Sequence, residues 1–231
     1  LSGIQTTKKQ QDYKMKVALL LAGEFRGDTE MVKRHKELIG EFDTYVACLP
    51  KYRTQWEESE WNPKEIYDVP MINFVDSEWA KYRNASSADQ SGFWQYWNLC
   101  HLLKNVSEYD FYIKSRNDLV IESKLNIDFN TLDADTYYYS ERTFCGILPH
   151  INDQFWIGSN KVIEIVAKLV DQFYLDERHS KIDGCNEHML HAWLQWNNIK
   201  MEKFSDFIYS KNHNGITIPS GESGNFTLEN I

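Results

Sequence analysis

The sequence predicts an α/β protein built on one mixed, mainly parallel sheet flanked by helices. Three observations carry that expectation. "KVALLLA" at 16–22 is an unbroken apolar run of strand length followed by the loop "GEFRGD", the pattern of a strand buried on both faces with a loop at its carboxyl end. Strand-like and helix-like segments alternate through the first half, whereas strand-like runs cluster in the middle, which calls for a mixed sheet. With 42% hydrophobic and 14% aromatic residues among 231, the chain can bury one large core.

The elements follow in order. Residues 1–15, opening "LSGIQTTKKQQDYK", are polar and aperiodic and are expected as a flexible lead-in or linker; residues 16–231 are expected as a single domain. Asp28 is placed to cap a helix through "TEMVKRHKELI", because its carboxylate can accept from free N–H groups of the first turn. "TYVACL" (44–49) reads as a second strand. Residues 50–70, rich in Trp, Glu and Lys, read as loop and short helix, and "MINFV" (71–75) as a third strand. "SGFWQYWNLCHLLKNV" (91–106) carries Trp94, Trp97 or Asn98, His101 and Leu102 at helical spacing, and "YDFYIKS" (109–115) is the next strand. "TYYYS" (136–140) and "DQFWIGS" (153–159) are further strands. A long amphipathic helix, "NKVIEIVAKLVDQFYL", capped by Asn160, comes next, then the helix "CNEHMLHAWLQW" and short strands near Met201 and at 207–209.

Composition narrows the function. A net charge of −9 argues against a surface made for nucleic-acid phosphates or an anionic membrane, since both need concentrated Lys and Arg. An anionic ligand must therefore be held locally. No run approaches the length of a membrane span, and the first residues carry no apolar signal core. Cys48, Cys100, Cys145 and Cys185 are scattered and form no C-x-x-C pair, which suits free thiols in the cytoplasm. Sequons at Asn84, Asn105 and Asn225 are read as chance matches.

In an open α/β sheet, ligands bind beyond the carboxyl ends of the strands. Gly23, Glu24, Arg26 and Asp28 follow the first strand, and Arg116, Asn117 and Asp118 follow "FYIKS", so both groups should face one crevice. Two cations and a carboxylate there suit a diphosphate with a divalent cation. A literal D-x-D, Asp133-Ala134-Asp135, carries little information, because 16 Asp in 231 residues give about one such pair by chance. It precedes a strand instead of following one and reads as a solvated turn.

"KVALLLAGEFRGD", "YDFYIKSRNDLVI", "NDQFWIGSNKVIEI" and "NEHMLHAWL", in this order and at these separations, resemble the small GT-A-type glycosyltransferases of surface-polysaccharide and viral glycan pathways. The resemblance covers roughly residues 16–210 and implies a GT-A-like (Rossmann-like) fold. It implies transfer of a sugar from a nucleotide-sugar donor to a glycan, glycoprotein or other hydroxyl acceptor, in reactions such as polysaccharide biosynthesis. On that resemblance Asp118 is the ligand of a Mn²⁺ or Mg²⁺ ion, which would stabilise the leaving diphosphate. His213, in the late "KNHNG" segment, is a second metal-ligand candidate. Arg116 stands where the first carboxylate of the D-x-D is expected, leaving one carboxylate for metal and offering phosphate a planar fork. Gly23, Arg26 and Gln95 are the remaining donor contacts, with Asn98 beside Gln95. Asp153, ahead of Glu187, is the candidate general base for an acceptor hydroxyl. A Glu in a first helical turn can also serve only the helix dipole.

Trp56 and Trp61, set among Glu and Lys, are expected to be exposed and to line an acceptor groove. Cys185, His188 and His191 at i, i+3 and i+6 could approach a zinc site, but successive steps of three drift around a helix and no fourth ligand is evident. Two other readings remain open: a non-catalytic carbohydrate or nucleotide-sugar-binding module, and a nucleotide-sugar hydrolase using the same crevice.

Overall fold

The computed structural model describes residues 15–80, 87–140, 151, 153–178, 186–204, 209–213 and 216–219; at 87–91, 186, 210–213 and 216–219 only the backbone path is described. The chain runs β1 (Val17–Ala22), α1 (Thr29–Ile39), β2 (Asp43–Cys48), α2 (Arg53–Glu57), β3 (Glu65–Asp68), α3 (Ser87–Asn105), β4 (Phe111–Ser115) and β5 (Leu119–Ile121). It continues through β6 (Thr136–Ser140), β7 (Trp156–Ser159), α4 (Asn160–Ala167), α5 (Asn186–Trp196), β8 (Lys200–Phe204), β9 (Tyr209–His213) and β10 (Ile216–Pro219).

Seven strands form one mixed, mostly parallel sheet in the order β3-β2-β1-β4-β7-β6-β8. β3, β2, β1 and β4 are parallel, β7 is antiparallel to both β4 and β6, and β8 is parallel to β6. A second, antiparallel sheet joins β10, β9 and β5. The period-2 alternation of β1 divides the interior in two. Ala18 and Leu20 enter a core with α3, α4 and α5, while Leu19 and Leu21 enter another with Val32 and Ile39 of α1. This is why "VALLLA" is apolar at every position: neither face of the strand meets water.

Local chemistry sets the ends of α1. Asp28 is extended (φ −110°) and its Oδ1 accepts from the Met31 N–H at 2.8 Å. At the other end the Gly40 N–H donates to the Lys36 carbonyl at 3.0 Å with φ at +118°, a conformation that favours glycine.

Three expectations are corrected. The third strand is Glu65–Asp68, within the stretch read as loop, and 71–75 is no strand. Pro70 precedes that run, Met71 is 73% and Val75 49% exposed, and Phe74 alone is buried, stacked on Phe93 at 4.5 Å between ring centroids. One aromatic anchor, not a pleat, explains its apolar content. Secondly, the α4 cap is Ser159, whose side chain accepts from the Lys161 N–H at 3.2 Å; the Asn160 side-chain Oδ1 accepts from the Tyr112 hydroxyl at 2.8 Å instead. Thirdly, the helix does not run unbroken to Leu175. It gives way to a π-helical turn at Leu169–Phe173 that buries Leu169, Val170 and Phe173 together. Otherwise α3 starts four residues earlier than expected, and residues 207 and 208 lie outside the described residues. No helix among the described residues is long and apolar enough to cross a membrane.

Candidate active site

β1 has β2 on one side and β4 on the other, so a crevice opens beyond the carboxyl ends of β1 and β4. Gly23 leaves β1 with φ at +101°, which a residue with a Cβ adopts only under strain. Its N–H donates to the Ala47 carbonyl at 2.8 Å, and its carbonyl accepts from the Trp56 indole N–H at 3.1 Å. Facing it, residues 116–118 form a three-residue elbow between β4 of the large sheet and β5 of the small one. The two strand ends are latched. The Asn117 amide donates to the Glu24 carbonyl at 2.9 Å, and a Cβ at Gly27 would meet the Asn117 carbonyl oxygen at 2.8 Å.

A cleft of about 380 Å³ lies between them. Gly23, Glu24 and Arg26 line it from the first loop, Trp94, Gln95 and Asn98 from α3, and Lys114, Arg116, Asn117 and Asp118 from β4 and the elbow. All five residues expected to contact the donor therefore share one cavity. Arg116 grips Asp118 with two parallel hydrogen bonds, Nε to Oδ1 and Nη2 to Oδ2, each 2.7 Å. Asp118 is 2% exposed. Burial opposes the charge on Arg116, but the bonds to Asp118 outweigh it and raise its pKa. Arg26 lies across the cleft mouth, its Nη1 3.9 Å from Asp118 Oδ2. Its Nε and Nη2 rest on Glu24 Oε2 at 3.2 and 3.1 Å.

Lys114, which the sequence reading passed over, is a third cation of the cleft. It is 3% exposed, and its Nζ donates to the Asp153 carbonyl and, at 3.4 Å, to that of Gln154. Burial lowers its pKa to about 8; Asp153, Asp118 and Glu187 oppose that fall and Arg116 adds to it. The available signal was a Lys between Ile113 and Ser115 in a strand buried on both faces, where an ammonium is costly unless paired.

Asp153 is 4% exposed, and its Oδ2 accepts from Gln95 Nε2 at 2.5 Å. It thus stands one side chain behind the cleft wall. Glu187 sits half-buried in the first turn of α5, and its charge acts on Lys114 together with that of Asp153. The His213 backbone ends β9; Lys211 pairs with Leu119, and the antiparallel register carries the end of β9 toward residue 117. The His213 side chain lies outside the described residues.

Trp56 and Trp61 correct an expectation. They are 0% and 2% exposed and line no acceptor groove. Trp56 packs edge-on against Phe25 at 5.2 Å, and Trp61 against His35 at 4.9 Å. Their charged neighbours face water while the indoles turn inward, and half-buried Trp94 lines the cleft instead. Cys145 and Cys185 fall outside the described residues, so the Cys185–His188–His191 arrangement does too. Asp133 and Asp135 form a turn before β6: the Asp135 N–H donates to Asp133 Oδ1 at 2.9 Å, and Asp135 pairs with Lys161 at 2.8 Å. That turn lies at the opposite edge of the sheet from Asp118.

Among the described residues, the lining of the cleft does not present a Mn²⁺ or Mg²⁺ ion with a converging set of free ligands. Among the described residues no group of three or more His, Cys, Asp or Glu converges as metal ligands. Both oxygens of Asp118 are engaged by Arg116, with a second guanidinium 3.9 Å away. Two unit charges 4 Å apart interact by about 4 kcal/mol near a protein surface, so a divalent ion on Asp118 would meet repulsion of that order or larger from each guanidinium.

No protein-family model matches the chain, and no curated protein sequence matches it. Among solved structures, it is similar to the glycosyltransferase GlyE of Streptococcus pneumoniae TIGR4, with 15% identity and a TM-score of 0.49 over 83% of this chain. It spans 45% of the length of that GlyE chain. It is also similar to a glycosyltransferase involved in the glycosylation of the major capsid of PBCV-1, with 13% identity, a TM-score of 0.44 and 82% of each chain covered. Likenesses of this size assign no activity to this chain.

Proposed function

We propose that this chain is a glycosyltransferase of GT-A-like fold, moving a sugar from a nucleoside-diphosphate sugar to a hydroxyl of a glycan or glycoprotein. The observation that carries this reading is the convergence of Arg26, Lys114 and Arg116 with Gly23 at the carboxyl ends of β1 and β4, beside the buried carboxylate of Asp153. The order of sequence motifs supports it independently. Free, buried Cys48 and Cys100 suit a reducing cytoplasm.

The division of labour follows from charge. As the bond from the anomeric carbon to the diphosphate oxygen breaks, negative charge grows on the leaving group, where preorganised cations act most strongly. Arg116 and Arg26 receive it, with Lys114 behind them. Backbone at Gly23 allows close approach, Gln95 and Asn98 present amides to the donor, and Trp94 offers a ring face to a sugar. In a single displacement the acceptor oxygen bonds to the anomeric carbon as the diphosphate leaves, and its proton passes to one carboxylate, Asp153 being the leading candidate and Glu187 the alternative.

Calorimetric titration with UDP, GDP and their sugars, followed by product analysis with glycan acceptors, tests the proposal. Binding of a nucleoside diphosphate and transfer of its sugar are expected. No binding of any nucleoside diphosphate overturns the reading. Binding without turnover would mark a non-catalytic module, and release of free sugar alone a hydrolase.

A further inference from the structure

Resting on that reading, we infer that the site holds the donor diphosphate without a divalent cation: Arg116 and Arg26 supply the charge, and Asp118 is a positioning residue that aims Arg116. The arrangement at the elbow has this division built in. A guanidinium has five N–H donors in a fixed plane. Arg116 spends Nε and one proton of Nη2 on Asp118, which leaves the second proton of Nη2 and both of Nη1. Arg26 spends Nε and Nη2 on Glu24, and its Nη1 faces the Asp118 carboxylate at 3.9 Å. The remaining N–H groups of the two forks belong to residues lining one cleft.

The charge balance agrees. The cleft lining carries three cations, Arg26, Lys114 and Arg116, against two carboxylates, Glu24 and Asp118. This surplus of positive charge attracts a diphosphate, whereas a divalent ion beside phosphates needs one or two carboxylates free to ligate it, and Arg116 already holds both oxygens of Asp118. The bidentate clasp fixes a side chain that otherwise has many rotamers, so that little freedom remains to be lost when phosphate arrives.

The test is the affinity of the full chain for UDP, GDP and inorganic pyrophosphate, measured in EDTA and again with Mn²⁺ or Mg²⁺, alongside Mn²⁺ EPR of the chain with UDP. Affinity within about twofold across these conditions is expected, with no protein-bound Mn²⁺ signal. Arg116→Ala and Asp118→Asn should each weaken binding about tenfold or more, the loss of a charge-assisted hydrogen bond, and neither should acquire a metal response. Arg116→Lys should not restore affinity, because an ammonium lacks the fork. For Arg116→Ala, added guanidinium at low concentration should recover binding, which a purely structural role would not allow. Nucleotide binding by the wild-type chain that requires Mn²⁺ or tightens tenfold with it overturns the inference while leaving the glycosyltransferase reading standing. Failure of every diphosphate to bind, with or without metal, removes both. The wild-type comparison needs no variant, so misfolding of Asp118→Asn cannot decide the outcome.

Discussion

Lys114 ties the chemistry of the cleft to pH. Its ammonium is protonated below about 8 in the folded chain, whereas the ordinary lysine value is 10.5. Nucleotide affinity should therefore fall as pH rises from 7 to 9, and titrations of Lys114→Met across that range should give a weaker, flat profile. Stability should move the other way. Between about 8 and 10.5 the unfolded chain holds a proton that the folded chain has lost, so unfolding takes up a proton and stability rises with pH. At this scale the sequence was legible where one rule applied: residues after β1 and β4 must share a crevice, and Gly23, Arg26, Arg116 and Asp118 do. Lys114 was not, because the carbonyls that hold it come from Asp153 and Gln154, 39 and 40 residues further on. Periodicity cannot report such a partner.

Among the elements, β7 and α4 are joined so tightly that one methyl group should be felt. A Cβ at Gly158 would lie 2.7 Å from Val162 Cγ1 and 2.9 Å from its Cβ. Val162 is fully buried in a helix, where a β-branched side chain has little freedom to turn away. Gly158→Ala should cost about 1–3 kcal/mol in urea unfolding, and Val162→Ala in the same chain should return part of it. α2 offers a second test. Trp56→Phe keeps an aromatic ring but leaves the Gly23 carbonyl without its indole donor. It should raise the Kd for UDP several-fold, measured by calorimetry, with a smaller change in the melting temperature. Helices and central strands were readable because caps and double-sided burial leave strong local marks. β3 was not: it is an edge strand paired only with β2, its residues are exposed or half-buried, and "EIYD" lacks the apolar signal that "MINFV" has without being a strand.

Across the whole molecule, the large sheet separates two cores, and the one under α1 contains a buried histidine. His35 is 1% exposed, its Nε2 finds no hydrogen-bond partner among the described residues, and burial lowers its pKa from 6.5 to about 3. Between those values the unfolded chain gains a proton that the folded chain refuses. Stability present above pH 6.5 should thus drain away on acidification, with a slope of up to about 1.4 kcal/mol per pH unit. Urea unfolding at a series of pH values from 7 to 4 measures it, and His35→Leu should flatten the curve.

The latch at the cleft has a consequence for descent. Asn117 reaches the Glu24 carbonyl with its amide, while its own carbonyl occupies the space that a side chain at position 27 would need. Neither strand end can drift alone. A lineage that enlarges residue 27 must first pull back the elbow, and one that lengthens the elbow gives up the tie to the first loop. Donor preference in such a lineage would change through paired substitutions at 23–27 and 115–118, inherited together as one unit.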